Sequence, residues 1–233
     1  MRGGRMLFKG VLKQTIFGVV AAMVLGALYV FFVHSTVRET EKISNIESSF
    51  AAQNRLQAIH IERKSSIEKV TQIISRYNAE MSDSLKYEIA NEIYLMTKKY
   101  PNLNVNFISA TITHESAKTW DPNVISHAGA LGLMQIMPAT GAFLAVEEGL
   151  PWTTAEEVLS NPIYNIRLGC RYLNQLVGLY EKDGGLAAYN GGPKRAEMWI
   201  AGKRNDTILW EETRTYVPAV LELYHRFRSE GTL

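Results

Sequence analysis

The sequence predicts a mostly α-helical protein in which a membrane-spanning helix and a helical stalk precede one compact helical domain. Three observations predict this. Thr15 to Val33 is a nineteen-residue stretch without charge. Residues 35–81 contain neither proline nor glycine. From about Ser82 onward glycine, proline, tryptophan and tyrosine become frequent and apolar runs lengthen, yet no alternating strand pattern exceeds a few residues.

The elements follow in order. Residues 1–14 form a basic segment, with Arg2, Arg5, Lys9 and Lys13 and no acid. Residues 15–33 are long enough to cross a bilayer, since nineteen helical residues rise roughly 28 Å. The preceding bases predict a cytoplasmic N-terminus, with everything after Val33 on the other side. A cleaved signal peptide is the alternative, but its apolar core would exceed the usual ~7–15 residues and no A-x-A site follows. Gly18, Ala22 and Gly26 recur every four residues, a stripe of small residues that would let two such helices pack as a homodimer.

Residues 34–81 read as a helical stalk. Ile43, Ile46 and Phe50 form one short apolar run, and Ile67, Val70, Ile74, Tyr77 and Met81 form another at 3-4-3-4 spacing. The pattern fits a short coiled coil, which would also dimerise the chain, or a segment folded back on the following domain. As one continuous helix, ~45 residues of stalk would reach roughly 65 Å.

Residues 82–233 form the compact domain. Helices are predicted at Leu85–Lys99, ended by Pro101-Asn102, at Phe107–Glu115, at Asn165–Tyr180, between Asn161-Pro162 and Gly184-Gly185, and at Val217–Phe227. Composition excludes several functions. The basic residues cluster before the apolar span and acids outnumber bases beyond it, so there is no nucleic-acid footprint. One cysteine, Cys170, excludes a disulfide framework. The five histidines lack metal-ligand spacing, and phosphate- and dinucleotide-binding motifs are absent, so neither metal nor cofactor is expected.

Chemistry concentrates on Glu115. In its helix Ile108, Ile112 and Glu115 share one face, and a carboxylate on an apolar face is costly unless it is used or paired. Burial there raises its pKa toward the range of a general acid. His114 faces a different side.

The following motifs are Glu115-Ser116, Trp120-Asp121-Pro122, Gly132-Leu133-Met134-Gln135, Asn161-Pro162 with Asn165-Ile166, Gly169 and Tyr172-Leu173, Ala187-Ala188-Tyr189-Asn190-Gly191-Gly192-Pro193, and Glu212-Thr213-Arg214-Thr215-Tyr216-Val217. In this order they resemble the SLT-type lytic transglycosylases of bacterial cell walls, which share the goose-type lysozyme fold. The resemblance covers roughly residues 83–228.

The resemblance implies a lysozyme-like catalytic domain with Glu115 as acid and base. It implies substrate contacts at Ser116, Ser126, Met134, Gln135, Tyr189, Asn190 and Tyr216. The implied substrate is peptidoglycan, cut between N-acetylmuramic acid and N-acetylglucosamine to leave 1,6-anhydro ends. The implied location is the bacterial inner membrane, with the catalytic domain in the periplasm. A hydrolytic muramidase and a non-catalytic peptidoglycan-binding scaffold are the alternatives. The chain departs from the family pattern at Ala117-Lys118-Thr119, where the loop before Trp120 is two residues longer.

Trp120 and Tyr189 offer faces for sugar stacking, or fill the core. Gln135 offers a donor and an acceptor. Ordinary glycosidases use two carboxylates. The candidates for a second are Asp121, which reads as a turn residue, and Glu212, which is expected to pair with Arg214 or a backbone amide.

Overall fold

The computed structural model describes residues 3–231. Arg2 and the last two residues of the predicted domain lie outside the described residues, as do the side chains of Arg5 and Lys9. The chain divides into two compact units, residues 1–60 and 61–233.

The first unit is the leading part of helix α1 (Gly3–Tyr77). The predicted span at 15–33 is helical throughout, and none of its most apolar window is buried. It is long and apolar enough to cross a membrane. Gly18 and Gly26 face open space. Ile43, Ile46 and Phe50 are exposed.

The second unit begins earlier than the sequence suggests. Residues 61–77 of α1 bury Ile67, Val70, Ile73 and Ile74 in the core of this unit. Arg63 donates to Asn91 Oδ1 at 2.7 Å, and Arg76 pairs with Glu230 at 2.8 Å. The 3-4 seam predicted in the stalk therefore has the globular unit as its partner.

Among the described residues seven further α-helices follow, α2 (Asp83–Lys99), α3 (Val105–Glu115), α4 (Pro138–Glu148), α5 (Ala155–Leu159), α6 (Pro162–Gly191), α7 (Pro193–Ala201) and α8 (Glu211–Ser229), with a short 3-10 turn at Asp206–Ile208. Their starts are chemically marked. Ser82, Asn104, Thr154 and Asn161 each accept a hydrogen bond from a first-turn amide, and Pro138 opens α4. Among the described residues there is no β-strand, only isolated bridges joining Ile125, Leu131 and Ile136.

α6 is broken at Glu181, whose φ of 63° is left-handed. The predicted helix ending at Tyr180 is its first half. The second half carries Tyr189 and Asn190. α3 is the central helix, with Phe107, Ile108, Ala110 and Ile112 wholly buried. It packs on α8 and α2. Two of its buried hydroxyls bond back to the helix, Thr111 to Phe107 O and Thr113 to Ser109 O. A two-sided core helix of this kind delivers its last residue, Glu115, from the interior toward the surface.

Candidate active site

α3 ends in a Schellman turn, with Ala117 N–H donating to His114 O at 3.0 Å and Lys118 N–H to Thr113 O at 2.8 Å. Ala117, Lys118 and Trp120 take φ values of 50°, 63° and 52°. Such left-handed residues cost on the order of 1 kcal/mol each, and persist only where the surroundings enforce them. The enforcement here is Trp120, which is fully buried and donates from Nε1 to Thr113 Oγ1 at 3.0 Å. Trp120 is thus a core residue and offers no face to a sugar. The longer loop is absorbed by the left-handed turn.

Tyr216, from α8, donates its hydroxyl to Glu115 Oε1 at 2.6 Å. Glu115 is partly accessible at its edge, yet enclosed enough for burial to dominate its titration. Burial pushes its pKa up to about 7. The Tyr216 hydrogen bond opposes this rise, and the nearby Glu212 charge adds to it. The carboxyl has a neutral donor and no ion-pair partner among the described residues. Tyr216 is itself buried, and burial followed by the Glu115 charge holds its hydroxyl protonated.

Tyr189 stands beside this pair. Its hydroxyl donates to Met134 O at 2.7 Å, and its ring lies 5.4 Å from that of Tyr172. Burial raises its pKa, and the Glu115 charge adds to the rise, which places the two groups in electrostatic reach. Asn190 is spanned by α8: its Nδ2 donates to Glu212 Oε1 at 3.1 Å, and its Oδ1 accepts from Thr213 at 2.7 Å. Gly191 permits this approach, because a Cβ there would meet Thr213 Oγ1 at 2.7 Å. Glu212 therefore pairs with Asn190 and not with Arg214 or a backbone amide. Asp121 is exposed and caps the Asn123 amide, as a turn residue does.

The loop at residues 124–136 forms the opposite element. Gln135, at a φ of 47°, donates from Nε2 to Val124 O and Gly132 O at 3.1 and 2.9 Å. Its amide donor is spent on the loop, so only Oε1 remains to be offered outward. Ser126 Oγ accepts from Ala130 N–H at 3.0 Å. Two residues expected at the substrate on the motif match point elsewhere. Ser116 is fully buried, donating to Ile112 O and accepting from Trp120 N–H, and so acts as a cap. The Met134 side chain is fully buried against Gly169, where a Cβ would meet its Sδ at 2.5 Å. Its contribution is the carbonyl that anchors Tyr189.

Sequence reading assigned no role to Asn165. It is fully buried, donates to Leu131 O and Leu159 O at 2.9 Å each, and accepts from Met134 N–H at 2.7 Å. It buckles the loop to α6. Gly132 must be glycine beside it, since a Cβ would lie 2.2 Å from Leu159 O. The motif position of Asn165 was visible in the sequence, but its partners lie up to 34 residues away.

The sequence profile of the Transglycosylase SLT domain matches residues 92–209. The chain belongs to this family. A soluble lytic murein transglycosylase of Escherichia coli is 34% identical over 158 residues, covering 61% of this chain and 23% of the relative. The lytic transglycosylase Slt of Pseudomonas aeruginosa, in an inactive variant, superposes with a TM-score of 0.52 at 29% identity, over 60% of this chain and 24% of that one. The 70-kDa soluble lytic transglycosylase of E. coli gives 0.53 at 27% identity, over 64% and 27%. This SLT chain thus spans under a quarter of the length of the curated relatives it matches. Its helical second unit has the lysozyme-like fold that the motifs implied.

Among the described residues of the SLT chain no cluster of His, Cys, Asp or Glu is arranged to hold a metal. Cys170 is fully buried, and burial pushes its thiol pKa up, away from nucleophilic use.

Proposed function

We propose that this SLT-family chain is a membrane-anchored lytic transglycosylase that cuts peptidoglycan from the periplasmic side of the inner membrane. The observation that carries the reading is the enclosed Glu115, poised near pH 7 and held by the Tyr216 hydroxyl, with no cation on it among the described residues. A carboxyl in that state holds a proton to give and can take one back.

In the proposed reaction Glu115 donates its proton to the glycosidic oxygen between N-acetylmuramic acid and N-acetylglucosamine. As that C–O bond breaks, the N-acetyl carbonyl oxygen of the muramic residue bonds to the anomeric carbon. The C6 hydroxyl then displaces it, passing its proton to the Glu115 carboxylate and closing a 1,6-anhydro ring. One protein carboxyl suffices, because the substrate supplies the internal nucleophile. Gln135 Oε1 and the Ser126 hydroxyl flank the sugar as polar contacts. Tyr189 and Asn190 shape the wall beside the cut, with Glu212 holding Asn190.

The apolar helix at 15–33 is the proposed single-pass anchor, preceded by the basic segment at 1–14. Residues 34–60 form the stalk and residues 61–233 the catalytic domain. The Gly18, Ala22 and Gly26 stripe is the proposed contact if two anchors pair.

Mass spectrometry of muropeptides released from purified sacculi tests the reading. Wild-type protein is expected to leave anhydro ends, and Glu115→Gln none. Reducing ends would make the chain a muramidase. Retained glycan binding without products would make it a scaffold. Cutting by Glu115→Gln would place the acid elsewhere.

A further inference from the structure

His114 precedes the candidate acid and faces α8. Its ring lies 4.9 Å from that of Tyr216, with the planes at 82°, an edge-to-face contact. Tyr216 thus touches two consecutive residues of α3: its ring meets His114, and its hydroxyl meets Glu115 at 2.6 Å. A tyrosine turns freely about two side-chain bonds unless its ring is packed. A hydroxyl at 2.6 Å from a buried carboxyl needs the ring held in one orientation.

We propose that His114 is a positioning residue, whose ring clamps Tyr216 so that the tyrosine hydroxyl stays on Glu115. This rests on the reading of Glu115 as the acid, and it goes further by naming what holds the donor in place. The imidazole acts as a flat neutral wedge, not as a proton carrier. Its surroundings agree. Burial lowers the His114 pKa, the Lys118 charge on the following turn lowers it further, and Glu212 on α8 opposes. The hollow beside it, about 160 Å³, is lined by Lys118 from that turn and by Glu222 and Arg226 from α8, one acid against two bases.

The test is a titration of the Glu115 carboxyl by NMR in the whole 233-residue chain, with ¹³C-labelled glutamate, alongside the pH profile of muropeptide release. Tyr216→Phe removes a hydrogen bond that favours the ionised carboxylate, so its Glu115 titration moves above the wild-type value of about 7. His114→Ala is expected to move it the same way. Adding Tyr216→Phe to His114→Ala should bring no further rise beyond Tyr216→Phe alone, because both act through one hydroxyl. His114→Phe keeps a ring edge on Tyr216 without a titratable group and should retain the wild-type value.

A folded His114→Ala with unchanged titration, an additive double variant, or an equal shift in His114→Phe would overturn the clamp. The last result would show a charge effect. Should His114→Ala fail to fold, His114→Leu, apolar and non-aromatic, takes its place with the same expectation. A wild-type Glu115 that titrates like a free carboxyl would instead overturn the acid assignment itself.

Discussion

Tyr216 and Glu115 stand 101 residues apart and share one hydrogen bond of 2.6 Å, which ties the end of α3 to α8 at the point where the carboxyl leaves the core. Burial outweighs this bond in setting the Glu115 titration, since the net shift is upward. The site therefore holds a proton under conditions in which a free carboxyl would have lost it.

A raised carboxyl pKa in the folded state costs stability as pH climbs. The folded chain keeps the proton between about 4.5 and 7 while the unfolded chain gives it up. Glu115→Gln, which still accepts from Tyr216, is expected to be more stable than wild type by on the order of 3 kcal/mol at pH 8. The gain should vanish below about pH 4.5. Urea midpoints measured across this range would show the divergence.

Activity should mirror the same titration. The value of kcat/KM on isolated sacculi is expected to fall as pH rises through about 7, because protonated Glu115 begins the reaction. A profile flat from pH 5 to pH 9 would be incompatible with this residue as the proton donor.

Asn165 predicts a coupled loss of stability and of activity. Asn165→Ala removes three buried hydrogen bonds and takes from the Leu159 carbonyl and the Met134 amide their side-chain partner, while Leu131 O keeps the Ile136 N–H. About 3 kcal/mol or more of stability should go. Met134 would shift, and its carbonyl anchors Tyr189, so kcat/KM should drop at temperatures where the variant is still folded. Paired melting curves and kinetics would show both.

The two loop glycines should separate. Gly132→Ala meets Leu159 O at 2.2 Å at a φ of 78° and should cost several kcal/mol. Gly129 has a φ of 84° but open space around it, so Gly129→Ala should cost about 1 kcal/mol. Denaturant unfolding of the two variants compares them directly.

Apolar residues on either side of residue 60 should behave differently. Ile74→Ala leaves a cavity in the core and is expected to destabilise the globular unit by about 2–5 kcal/mol. Phe50→Ala, on an exposed position, should leave its unfolding unchanged.

Much of this was readable in the residues. α2 and α3 follow from apolar spacing behind the Ser82 and Asn104 caps, α8 from apolar spacing alone, and Glu115 from its place on an apolar face. α4, α5 and α7 were not readable. They are short, with 11, 5 and 9 residues, which leaves an apolar repeat only one to three turns in which to show. The seam Ile67, Val70, Ile74 showed that a partner exists but not which one, because an apolar stripe fits a second helix and a domain surface equally. Motif order gave positions for Ser116, Met134 and Trp120 but not their side-chain directions, which tertiary packing turned inward. Helix geometry puts His114 on a different side from Glu115. α8, remote in sequence, brings Tyr216 against both.

The placement of residues 61–77 inside the globular core also decides what a protease would liberate. A nick within residues 34–60 would shed a unit with every buried contact of Ile67, Val70, Ile73 and Ile74 intact. A nick after Tyr77 would strip those side chains out and open the interior to water. The dividing line between a freed body with its interior closed and a remnant with its interior opened therefore falls well ahead of the first SLT motif.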